Sequence, residues 1–129
     1  MTVPLAFAVA SASIAAATHV LLFAVESLLF DRISTRRMLE VPERRAAAVR
    51  QWAYHQGVSN LLLGAMSAAG AIGLVLASGI GGGTLLPASN AAMVVAALAL
   101  IGVDRRRERV PGALAQALPA AVCLIALGR

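Results

Sequence analysis

The chain of 129 residues has no lysine, one cysteine and few aromatics: three Phe, one Trp and one Tyr. The lone Cys123 lies in an apolar stretch, which excludes a disulfide framework and a thiol metal set and leaves the role of a small buried hydrophobe. Charge is also scarce, at 13% of residues against about 25% in a soluble domain. Apolar residues make up 60%. A soluble ball of this size could not hide that much apolar surface, because small domains keep a large exposed fraction. A disordered tail, a stapled secreted module and an ordinary soluble enzyme are thereby excluded. With a mean hydropathy of +0.82, the chain reads as an all-α integral membrane protein of one domain, residues 1–129, multi-pass in the cell membrane.

The net charge of +5 invites a nucleic-acid reading. The arginines argue against it, since ten of the eleven sit in two short runs between apolar segments. Membrane proteins place their cytoplasmic loops in that way. No aromatic-interleaved basic surface accompanies them, so no nucleic-acid partner is expected. The arginines also admit a non-catalytic reading, in which a membrane subunit binds a cytoplasmic partner or anionic headgroups.

Four apolar segments run over about 3–30, 51–77, 89–103 and 110–127. A 30 Å hydrocarbon layer needs roughly 20 helical residues. The third segment is the shortest and borrows from the loop before it. The first lacks a basic n-region and is too long for a signal-peptide core, so it is a span. Loop one carries Arg32, Arg36, Arg37, Arg44, Arg45 and Arg50, and loop three carries Arg105, Arg106, Arg107 and Arg109. Loop two is uncharged, and its Gly81-Gly82-Gly83 reads as a flexible outer turn. The bias places loops one and three in the cytoplasm and both termini outside. The result is an integral membrane four-helix bundle. Pro42 starts a helical pattern that runs into the second span, Trp52 and Tyr54 fall at the inner interface, and Pro119 is expected to kink the last span.

The informative residues are the polar ones inside the spans: His19 and Glu26 in the first, His55, Gln56, Ser59 and Asn60 in the second, Asn90 in the third and Gln116 in the fourth. At 1.5 Å per residue, Glu26, Gln56 and Gln116 lie about 7, 9 and 10 Å below the cytoplasmic boundary. His19 and Asn60 lie deeper. His19 and Glu26, seven apart, share a helix face, as do Gln56 and Asn60, four apart. A carboxylate at the centre of a span costs about 2.5–3.5 kcal/mol on insertion scales, less toward the interface, and is expected to face the bundle and find a partner. Its bland alternative is to snorkel to loop one and pair with Arg32. His19, Gln56, Asn60 and Gln116 have a bland alternative too, as polar glue between helices. Gly57, Gly64, Ser67 and Gly70 are expected to permit close helix contact.

The pattern His19-x6-Glu26, His55-Gln56-Gly57-x-x-Asn60 with Leu61-Leu62-Leu63, and Gln116-x-x-Pro119 resembles a widespread family of small bacterial four-helix membrane proteins of unknown function. The resemblance covers nearly the whole chain and is most specific in the second span. It implies four spans and marks His19, Glu26, Gln56, Asn60 and Gln116. His55 stands where the family usually has Asn, and Ser59 where it usually has Tyr.

One reading is a membrane-embedded enzyme, an isomerase or cyclase, with Glu26 as general acid or base and His19 orienting it or completing a proton relay. His55, Gln56, Asn60 and Gln116 would hold the polar group of a lipophilic, isoprenoid-like molecule. No metal or other cofactor is called for. The rival is a proton-coupled transporter or channel, which needs polar groups continuing to the outer face and a homo-oligomer. A three-ligand metal site from His19, Glu26 and His55 is the weakest idea, because a spacing of seven is looser than the usual i, i+3 or i, i+4 ligand pairs.

Overall fold

A computed structural model describes residues 2–77, 80–103, 107 and 110–128. The loop-three arginines Arg105, Arg106 and Arg109, and Arg129, lie outside the described residues. Helix α1 spans Val3–Phe23, a short α2 spans Ile33–Met38, and three long helices follow: α3 (Ala46–Val75), α4 (Leu86–Val103) and α5 (Val110–Leu127). No strand occurs among the described residues. Helix α1 packs on α3 and α5, and α4 packs on the same two, so α1 and α4 stand on opposite corners of a four-helix bundle. Among the described residues, four helical stretches are long and apolar enough to cross a membrane: Val3–Leu28, Glu43–Val75, Gly81–Val103 and Val110–Leu127.

The packing is that of a protein solvated by lipid. The interior is built mainly from small side chains, with Ala8, Ala12, Ala15, Ala97, Ala113 and Ala120 fully or almost fully buried. Phe7, Ile14, Leu21, Leu62, Ile72 and Leu98 point outward. Lipid tails are as apolar as leucine, so large side chains gain nothing by turning inward, while small ones let backbones approach. A Cβ on Gly64 would lie 3.0 Å from the Ala16 carbonyl, and one on Gly70 would lie 2.7 Å from the backbone of Leu86. Both glycines therefore hold helices at closest approach, as expected of that row.

The ends of the helices depart from simple expectation in two places. Helix α1 does not run regularly to residue 30 but passes into a π-helical turn, Ala24–Leu28, in which the Leu29 N–H donates to the Ala24 carbonyl at 2.9 Å. The triple glycine is not a flexible turn. It forms most of a second π-helical turn, Gly81–Leu85, leading directly into α4. The reason is tertiary, since Gly81 and Gly82 are buried against α3 and a Cβ on Gly82 would meet the Leu74 backbone at 2.8 Å. Helix α5 continues through Pro119.

Loop one is structured. Helix α2 closes with Glu40 at a left-handed φ of 57°, while the Val41 N–H reaches back to the Arg36 carbonyl at 2.8 Å and the Glu40 N–H to Arg37 at 3.1 Å. This is a Schellman close. After Pro42, a 3₁₀ turn (Glu43–Arg45) feeds α3 without a break. Arg36 gathers the loop, donating to the Asp31 carbonyl at 2.6 Å and to Glu43 Oε2 at 2.7 Å. Arg50 pairs with Asp31 at 3.0 Å.

Candidate functional site

Glu26 sits within the π turn that ends the first span. Such turns add a residue to the helical repeat and re-aim the side chains they contain; they recur at functional sites. The Asn60 carboxamide donates from Nδ2 to Glu26 Oε2 at 2.7 Å. Asn60 itself is buried on α3, three per cent exposed. Among the described residues Glu26 makes no ion pair, and the snorkelling contact to Arg32 is not formed. The intramembrane acid has found a neutral amide partner on the neighbouring helix.

Two neighbours hold this turn against α3. The Ser27 hydroxyl donates to the Tyr54 carbonyl at 3.2 Å. Gly57 faces the same serine, and a Cβ there would collide with Ser27 Oγ. The glycine brings α3 close enough for Asn60, one turn further on, to reach Glu26. In the sequence Ser27 carries no sign of this role. The only signal was Gly57, whose lack of a side chain marks a close approach without naming what approaches.

Gln56 and Gln116 join Glu26 in lining one open-sided cavity of about 430 Å³, lined otherwise by Ala96, Ala99, Leu100 and Val103. Gln116 is steadied by its own helix, its amide donating to the Gly112 carbonyl at 3.2 Å. A second cleft of about 440 Å³ reaches Glu26 from the loop-one end and is lined by Ser27, Phe30, Ala47, Arg50, Gln51 and Tyr54. Glu26 is the residue these two spaces share. The lining of the second cleft was not foreseen from the sequence, because its residues look like ordinary interfacial ones until the π turn sets them opposite Glu26.

The other polar residues stand apart. His19 is fully buried, its Nδ1–H donating to the Ala15 carbonyl at 2.9 Å, and its Nε2 has no partner among the described residues. No hydrogen bond joins it to Glu26. His55 is exposed on α3 and lines neither cavity. No group of three His, Cys, Asp or Glu side chains comes together among the described residues, so the His19, Glu26 and His55 trio is not assembled. Deeper in the bundle, Asn90 on α4 donates to Ser67 Oγ on α3 at 3.0 Å, and Ser67 donates to the Ala12 carbonyl on α1 at 3.3 Å. Ser67 is thus more than a small residue at a contact. Asn90 Oδ1 has no partner among the described residues.

The arrangement is a carboxyl held by one amide, with two further amides across a mainly apolar space. Ligand sites have this character: apolar walls with a few convergent polar groups that fix orientation. No curated protein matches the chain, and no solved structure matches it. Residues 13–128 match the family described as a protein of unknown function (DUF1304), and the chain belongs to that family.

Proposed function

We propose that the protein is an enzyme of the cell membrane whose Glu26 is the acid–base group for a lipophilic small molecule, isoprenoid-like in class, entering from the cytoplasmic leaflet. The observation that carries this reading is the grouping of Glu26, Gln56 and Gln116 around one otherwise apolar cavity. A protonation-driven isomerisation or cyclisation fits a site with one carboxyl. The Glu26 acid gives its proton to one carbon of a substrate double bond, leaving a carbocation and a carboxylate. The carboxylate then takes a proton from a neighbouring carbon, a new double bond forms, and Glu26 is restored to its starting form. Asn60 positions the carboxyl from α3. Gln56 and Gln116 offer amide groups to the polar end of the substrate. His19 would act through buried water at its unpaired Nε2, and His55 would meet the molecule only on its way in.

Running the reaction in D₂O tests this whatever the substrate is, because each turnover through an exchangeable Glu26 proton leaves deuterium on carbon. Membranes holding the protein should accumulate a deuterated lipophilic species by mass spectrometry, and membranes holding Glu26→Gln should not. Equal incorporation in both, with each variant folded in detergent, would refute the enzyme reading.

The buried Asn90–Ser67 pair supports a second reading, a proton-coupled transporter working as a dimer. It continues polar groups toward the end of the bundle away from Glu26. Transport predicts a proton-driven flux in proteoliposomes that Glu26→Gln abolishes, with no deuterium on carbon.

A further inference from the structure

Glu26 borders two spaces of different character. The cavity between α3, α4 and α5 is lined by Ala96, Ala99, Leu100 and Val103, all exposed residues on apolar helices, and so faces lipid. The cleft at the loop-one end opens among the exposed Ala47, Arg50, Gln51 and Tyr54, with Ser27 half-buried and Phe30 buried in its lining. That mouth lies at a polar level. Arg50 and Asp31 form an ion pair with side chains 67% and 68% exposed. Hydrocarbon does not tolerate an open charged pair, whereas headgroups and water do. Gly57, where an added Cβ would lie 3.2 Å from Glu26 Cβ, is seven residues beyond Arg50 on α3, about 10 Å along the axis. A proton cannot cross that distance through alanine and leucine. It needs a wet, polar route.

We propose that the Arg50–Tyr54 cleft is an aqueous inlet through which Glu26 exchanges protons with water on the loop-one side, separate from the lipid-facing cavity. The exchange is a proton passing between a Glu26 oxygen and a water of the cleft, with no other bond changed. Ser27 is the polar wall residue nearest to it in sequence, its hydroxyl fixed on the Tyr54 carbonyl at 3.2 Å. The charged and titratable groups around the route are Asp31, Arg50 and Tyr54, with the Asn60 amide on Glu26 itself. The proposal rests on Glu26 being the working acid. Its test reads access to the carboxyl and not turnover, so either idea can fail alone.

Carbodiimides convert a reachable protonated carboxyl to a stable N-acylurea that mass spectrometry locates. The full chain in lipid nanodiscs is treated with a water-soluble, cationic carbodiimide or with dicyclohexylcarbodiimide, which arrives through lipid. Both reagents should label Glu26, and Glu26→Gln should show no adduct at that position. Ala47→Phe fills the cleft from an exposed position on α3. It should reduce labelling by the water-soluble reagent to background and leave labelling by the lipid-soluble one unchanged. Retained lipid-soluble labelling also reports that the variant is folded. Arg50→Gln removes a positive charge from the mouth and should speed the cationic reagent by about threefold, with no effect on the neutral one. Glu26 untouched by the water-soluble reagent, or labelled equally in the native protein and Ala47→Phe, would overturn the inlet.

Discussion

The contact between Asn60 and Glu26 makes a quantitative prediction. At 2.7 Å between Nδ2 and Oε2 it is a short hydrogen bond, with the donor residue almost fully buried. Polar pairs between membrane helices contribute about 0.6 kcal/mol on average and about 1.7 at most, because the unfolded segments also find partners in the bilayer. A charge-assisted bond reaches about 1.5–3 kcal/mol. The energy therefore reports on the state of Glu26 as well as on the contact. A double-mutant cycle of Glu26→Ala, Asn60→Ala and the pair measures it, read from reversible unfolding in mixed detergent micelles. A coupling of about 0.6–1.7 kcal/mol is expected for a neutral carboxyl in a helix contact. That corresponds to roughly 3- to 18-fold in the unfolding constant. A value above this range identifies a carboxylate. Because both alanines open space, the same cycle is run with Glu26→Gln, which keeps an acceptor and should retain most of the stability. Zero coupling would refute the pairing and with it the site.

Three further outcomes follow from the same contacts. Gly57→Ala pushes Ser27 away from α3 and should destabilise the protein by about 1–3 kcal/mol, read by thermal unfolding, while Gly112→Ala, with open space around it, should not. Glu43→Ala removes only the exposed partner of Arg36 and should cost less than about 1 kcal/mol, whereas Arg36→Ala should cost more, because Arg36 is largely buried and also ties Asp31 to the loop; equal losses would contradict this. Ser67→Ala leaves the Asn90 amide with only the Leu86 carbonyl and should cost about 0.6 kcal/mol in detergent unfolding.

The long apolar runs, and the arginines confined between them, determined four helices and the end of the bundle where charge collects. Those properties follow from the cost of placing charge and unpaired backbone in hydrocarbon, and that cost is read residue by residue along the chain. The sequence also singled out Glu26, Gln56 and Gln116 as out of place in lipid, and the three line one cavity. Rotation about the helix axes was not legible. A seven-residue spacing puts His19 and Glu26 on one face only if the helix stays regular, and the π turn at Ala24–Leu28 breaks that regularity. No proline or glycine in the turn announces it. His55 is next to Gln56 in sequence yet exposed and outside both cavities, since adjacent helical residues point about 100° apart. Tertiary packing alone decided that the triple glycine is helical, that Asn60 and not an arginine answers Glu26, and that Glu26 borders two spaces. Each of these depends on how closely neighbouring backbones approach, a distance set jointly by residues far apart in the chain.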